Sequence, residues 1–244
     1  MTRSVAPEAA GDASSDVRGD ARADAGTSGA AGTAALEGNG VNLVRERAVA
    51  RSVQLALERL YQVERIADVE SYLEAAEEGE RESLLVRESE GTVELTLRVP
   101  ALARREFDAA SDADLDPLCQ LIEGVSHFVY LTCRASVDRA TTHLELETQA
   151  EVDKYVVLAS SVASLDARRS ATLRRRLFGE TSYLHERDTE EGARYRLANA
   201  AAARFTERIE RAYVELGRFA EMRGELRRFF RMGQEDKLRA AYAT

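Results

Sequence analysis

Thr92-Val93-Glu94-Leu95-Thr96-Leu97-Arg98-Val99 is the stretch that decides the fold class. Val93, Leu95, Leu97 and Val99 alternate strictly with polar residues, which is the period of a half-buried β-strand. Leu84, Leu85 and Val86 form a shorter apolar run before it. Glu88-Ser89-Glu90-Gly91 supplies a turn between the two, and Pro100 closes the second run. The pair therefore reads as an antiparallel hairpin. Downstream, residues 125–133 are rich in β-branched and aromatic side chains. We read them as a third strand in preference to a continued helix. That places Val125, His127, Val129, Leu131 and Cys133 on one face.

Helical patterns surround this sheet. Val49, Val53, Ala56, Leu57, Leu60 and Val63 recur at three- and four-residue steps after Asn42, a candidate N-cap. A Glu-rich second piece runs to about Glu78 and stops at Gly79. A helix is expected from Asp112 to Ile122 with Gly124 just past its end. Another runs from about Thr141 to Ser160, and a short one capped by Ser170 ends near Gly179. Asp188-Thr189-Glu190-Glu191 resembles a capping box that opens a long element. In it Phe205, Ile209, Ala212, Leu216, Phe219, Met222, Leu226 and Phe230 follow an approximate heptad seam. The expected fold class is α+β: a small antiparallel sheet of about three strands packed by helices, then a long helical C-terminal region. Residues 41–165 make the α+β part and 166–244 the helical part packed on it.

Residues 1–40 contrast with all of this. They hold 7 of the 15 Gly, 11 Ala and no aromatic residue, too little apolar surface to offset the entropy of ordering them. We expect a disordered tail. It lacks the apolar core of a secretory signal and the acid-poor character of a transit peptide. The expectation is a cytoplasmic protein with Cys119 and Cys133 reduced.

Composition excludes several function classes. The 34 Lys+Arg against 43 Asp+Glu give a formal net charge of -9, so no nucleic acid is expected as a partner. No apolar run is long enough for a membrane span. Only Lys154 and Lys237 are lysines, and the other 32 basic residues are Arg, a bias that points to a GC-rich bacterial genome. The basic groups Arg168, Arg169 and Arg174 to Arg176, and Arg227, Arg228 and Arg231 beside Phe229 and Phe230, read as solvated helix faces. There is no Gly-rich phosphate loop, paired-cysteine motif, His-Glu-x-x-His or nucleophile elbow.

One polar constellation stands apart. His143, Glu147 and Glu151 recur every four residues, which makes one stripe on a helix, and Lys154 follows one turn later. His127 is expected to face the core beside that helix. An imidazole and two carboxylates, His127 with Glu147 and Glu151, could ligate a divalent metal. A buried Glu beside His127 could equally act as a general acid or base, with Lys154 neutralising an anion or holding Glu151 ionised. The plainer alternative is a solvated stripe and a core histidine bonded to a carbonyl. The first functional expectation is a non-enzymatic interaction or regulatory protein, assembling as a homo-oligomer or with a protein partner through its C-terminal seam. The second is a metal- or small-ligand-binding protein or enzyme built on His127, Glu147 and Glu151. The sequence does not decide whether it is an enzyme.

Overall fold

The computed structural model describes residues 43–89, 92–102, 112–162, 164–179, 181 and 183–243. The expected 1–40 tail and the N-cap Asn42 lie outside them. From Val41 onward the chain is one compact unit, and its architecture is α+β. Its sheet has three strands in the order β1-β3-β2: β1 is Leu73–Ala75, β2 is Ser83–Ser89 and β3 is Thr92–Val99. The β2–β3 hairpin pairs antiparallel, with Leu84 opposite Leu97 and Val86 opposite Leu95. β1 joins the other edge of β3 in parallel, Leu73 beside Leu97. The sheet is thus mixed, and part of the expected Glu-rich helix is strand.

Seven α-helices are found among the described residues: α1 (Val44–Tyr61), α2 (Asp112–Ala135), α3 (His143–Ser161), α4 (Ala167–Arg174), α5 (Glu190–Ile209), α6 (Phe219–Arg231) and α7 (Gln234–Tyr242). α2 overturns the third-strand expectation, because residues 125–133 continue the helix that begins at Asp112. Leu121, Ile122, Val125, Ser126, Phe128, Val129 and Tyr130 are all buried. A helix wrapped in core on nearly every side shows no 3.6-residue alternation, so its β-branched and aromatic content misleads. Gly124 is not a helix end either. A Cβ there would come 2.5 Å from Leu97 Cδ1, so the glycine lets α2 lie close against β3.

The caps follow elementary rules. Thr142 accepts the Glu145 N–H at 3.1 Å and starts α3, and Thr189 accepts the Gly192 N–H at 3.0 Å and starts α5. Asp166, not Ser170, caps α4; Ser170 is buried and bonds the Tyr155 hydroxyl at 2.8 Å. The expected single C-terminal helix is interrupted. α5 loosens into a wider π-turn over Glu210–Val214, and Gly217, at φ +65°, reverses the chain before α6. Phe205, Ile209, Leu226 and Phe230 of the heptad seam pack inside the chain's own core, and Leu216 falls at the break, 63% exposed. Phe205 stacks on Phe229 at 3.9 Å, and Tyr61 on Phe230 at 4.2 Å. The aromatic residues beside Arg227 and Arg228 are thus core. Arg227 itself donates to the Leu60 carbonyl at 2.7 Å, and Arg174 pairs with Glu210 at 2.8 Å.

α2 and α3 run antiparallel, Tyr130 beside Glu145 and Ser126 beside Asp153. On the α1 and α7 side of α3 lies a buried polar layer. Asp153 accepts from the Tyr61 hydroxyl, from Ser126 Oγ at 2.6 Å and from Gln149 Nε2 at 2.9 Å. Lys237 on α7 is fully buried and donates to Gln149 Oε1 and to the Phe229 carbonyl at 2.9 Å. Arg134 reaches Glu145 Oε1 at 2.6 Å and the Met232 carbonyl at 2.7 Å, tying α2 to the α6–α7 junction. Among the buried polar atoms of these side chains only Arg134 Nε lacks a partner.

Candidate metal centre

The opposite side of α3 faces α2 and the start of β2, and there the polar groups are arranged differently. Glu123 and His127 lie one turn apart on α2, Glu147 and Glu151 one turn apart on α3, and Glu82 precedes β2. One ligand atom from each of Glu123, His127 and Glu147 falls within a common 4.8 Å. His127 Nε2 is 3.8 Å from Glu147 Oε2, and His127 Nδ1 is 3.7 Å from Glu82 Oε1. Both separations are too long for hydrogen bonds. His127 Nε2 and Glu82 Oε1 are buried and without any hydrogen-bond partner. Lys154 Nζ sits beside this group, 2.7 Å from Glu151 Oε1 and 3.1 Å from Glu123 Oε2. All six side chains keep only between 8% and 15% exposure, so the cluster is largely withdrawn from solvent.

The electrostatics reflect an excess of buried carboxylate. Burial, then the Glu123 charge, pushes the Glu147 carboxyl up to about 8, against the pull of Lys154 and Arg194. Burial with Glu123 and Glu147 holds Glu82 well above the usual carboxylate range. Burial also raises Glu151, although Lys154 partly offsets it. Glu123 alone lies below its ordinary value: burial would raise it, but the Lys154 ammonium and His127 outweigh that. Burial lowers His127 from its ordinary value, against the opposing pull of Glu123.

A rim of aromatic and cationic residues comes from the α5 side. His185 stacks on Tyr195 at 5.5 Å, the Arg194 guanidinium lies 5.6 Å from the Tyr195 ring, and Arg196 covers Tyr183 at 4.4 Å. Burial and the charges of Glu147, Glu123 and Glu82 raise the Tyr195 hydroxyl above its ordinary value.

The structure brings His127 together with Glu147 as expected from the sequence, but from a helix instead of a strand. Glu151 turns to Lys154 and is not among the three converging ligand groups. That pair is buried where a surface pair was the plain alternative. His143 sits exposed at the start of α3 and stays outside the ligand set. Glu123 and Glu82 went unnoticed in the sequence. The i, i+4 spacing of Glu123 and His127 was readable only with α2 continued as a helix. Glu82 has no local signal, since only tertiary packing brings it here. Cys119 and Cys133 are free thiols; burial pushes the Cys119 thiol up to about 12. No described helix is long and apolar enough to cross a membrane. No family model, curated protein or solved structure matches this chain.

Proposed function

We propose that this is a metal-binding protein that holds one divalent first-row transition-metal ion through Glu123, His127 and Glu147, with Glu82 in reach as a further ligand. The observation that carries the reading is the His127 imidazole, buried with no partner at Nε2 and flanked by two carboxylates just beyond hydrogen-bond distance. Unpaired buried polar atoms are costly, and a cation bound between these groups removes the penalty at each of them. A nitrogen with carboxylate oxygens suits Zn²⁺, Mn²⁺ or Fe²⁺ better than Ca²⁺ or Mg²⁺, which prefer oxygen alone. Three protein ligands leave a coordination position free, the pattern of sites where a metal polarises a bound ligand.

The other expectation, assembly through the C-terminal seam, has less apolar surface to use, because Phe205, Ile209, Leu226 and Phe230 of that seam pack inside the chain's own core. A cytoplasmic bacterial setting goes with the metal reading and with the reduced cysteines. Calorimetric titration of the chelator-treated protein with Zn²⁺ and Mn²⁺ tests it. One ion should bind per chain, and Glu147→Gln and His127→Ala should each weaken binding at least about tenfold. Folded wild-type protein that takes up neither ion would end the reading.

A further inference from the structure

The proposed centre uses only part of the ligand-type side chains that α2 and α3 turn toward each other. Cys119, Glu123 and His127 recur at four-residue steps on α2, as Glu147 and Glu151 do on α3, so each set lines one helix face. Because the helices are antiparallel, the rows pair off. His127 lies against Glu147, while Glu123 lies toward Glu151 and Lys154. Cys119 lies one turn before Glu123 on the same face of α2. The cluster therefore has two halves with Glu123 common to both. In one half stand His127 and Glu147; in the other, the Lys154 ammonium is held by Glu151 at 2.7 Å and Glu123 at 3.1 Å.

A carboxylate shared between two cations is a bridging ligand, the arrangement found where two metal ions lie roughly 3.5–4 Å apart. We infer that this cluster is a two-cation site whose second cation is the Lys154 ammonium, so that Lys154 limits the chain to one metal ion and its removal opens a second divalent-ion position between Glu123 and Glu151. The inference rests on the metal reading above and extends it. An ammonium concentrates its charge at one point, as a metal ion does, whereas a guanidinium spreads it across a planar fork. A lysine at this point is therefore informative in a chain with 32 Arg and only two Lys. The tethered charge also holds Glu123 and Glu151 in place before any metal arrives.

Lys154→Met tests the inference by titration with Zn²⁺ and Co²⁺ and by metal analysis after desalting. Wild type should hold one ion per chain and Lys154→Met two. The second Co²⁺ should be lost again in the Lys154→Met/Glu151→Gln double variant, which keeps the Glu123, His127 and Glu147 ligands of the first. One ion in both proteins would overturn the inference and leave the metal reading standing; no ion in wild type would overturn the metal reading itself.

Should Lys154→Met fail to fold, wild type carries its own test, because ¹⁵Nζ-lysine labelling gives only two side-chain signals. On Zn²⁺ loading the Lys154 ammonium signal should shift and persist while that of Lys237 stays in place. An unmoved Lys154 signal, or its loss into solvent exchange as the metal expels the ammonium, would overturn the inference.

Discussion

The two polar layers flanking α3 are made of similar residues and end in opposite states. Toward α1 and α7, Tyr61, Ser126, Gln149, Asp153 and Lys237 saturate one another with hydrogen bonds. Toward α2 and β2, Glu82 and His127 stand in the interior with atoms that bond nothing, at separations of 3.7 and 3.8 Å that a proton does not close. A saturated layer fixes which helix packs on which and has no affinity left for anything else. An unsaturated one retains affinity for a cation. The contrast separates a layer that shapes the fold from one that is open to a ligand, although both are read from the same helix.

The saturated layer should break hardest. Asp153→Ala leaves the Tyr61 hydroxyl, Ser126 Oγ and Gln149 Nε2 without their shared acceptor, and each unsatisfied buried group costs about 1–3 kcal/mol. Urea denaturation should show a loss of about 3 kcal/mol or more. A loss below about 1 kcal/mol would mean that water replaces the carboxylate and that this layer is not a sealed one.

The other layer should respond less, and with a different sign. The Glu147 carboxyl lies at about 8 in the fold against an ordinary 4.5, so the folded state holds the proton more tightly. Its contribution to stability is complete below about pH 4.5 and is lost as pH rises through about 8. Glu82 and Glu151, both raised, act in the same direction, while His127, held below 6.5, opposes them below that pH. Melting curves of metal-free wild type and Glu147→Gln should therefore lie close together near about pH 5. They should separate by a few degrees toward about pH 8, with the variant higher. Parallel curves would show that Glu147 ionises freely in the fold and that the two layers differ less than their geometry says.

The sequence revealed elements whose pattern is local. The β2–β3 hairpin followed from strict alternation, α1 from its apolar spacing, and the start of α5 from Thr189. α2 escaped because a helix buried all round shows no face, and β1 because three residues pairing in parallel with a distant strand carry no period of their own. The break after α5 escaped because the apolar spacing runs unbroken through it. Only the positive φ of Gly217 and the π-turn reveal the reversal.

The candidate site was legible to the same extent. His127 and Glu147 were visible as residue types that could meet. Glu123 was hidden by the strand assignment of the segment after it, and Glu82 by its distance along the chain. The buried layer around Asp153 gave no sign beyond the rarity of lysine.

That rarity has a practical side. Lys237 has no surface exposure and Lys154 is held among carboxylates, so neither amine meets solvent freely while the chain is folded. Amine-directed acylation of lysine in this protein is thus a chemical reporter of opening: Lys237 becomes modifiable when α7 lifts from the core, and Lys154 when α2 and α3 part.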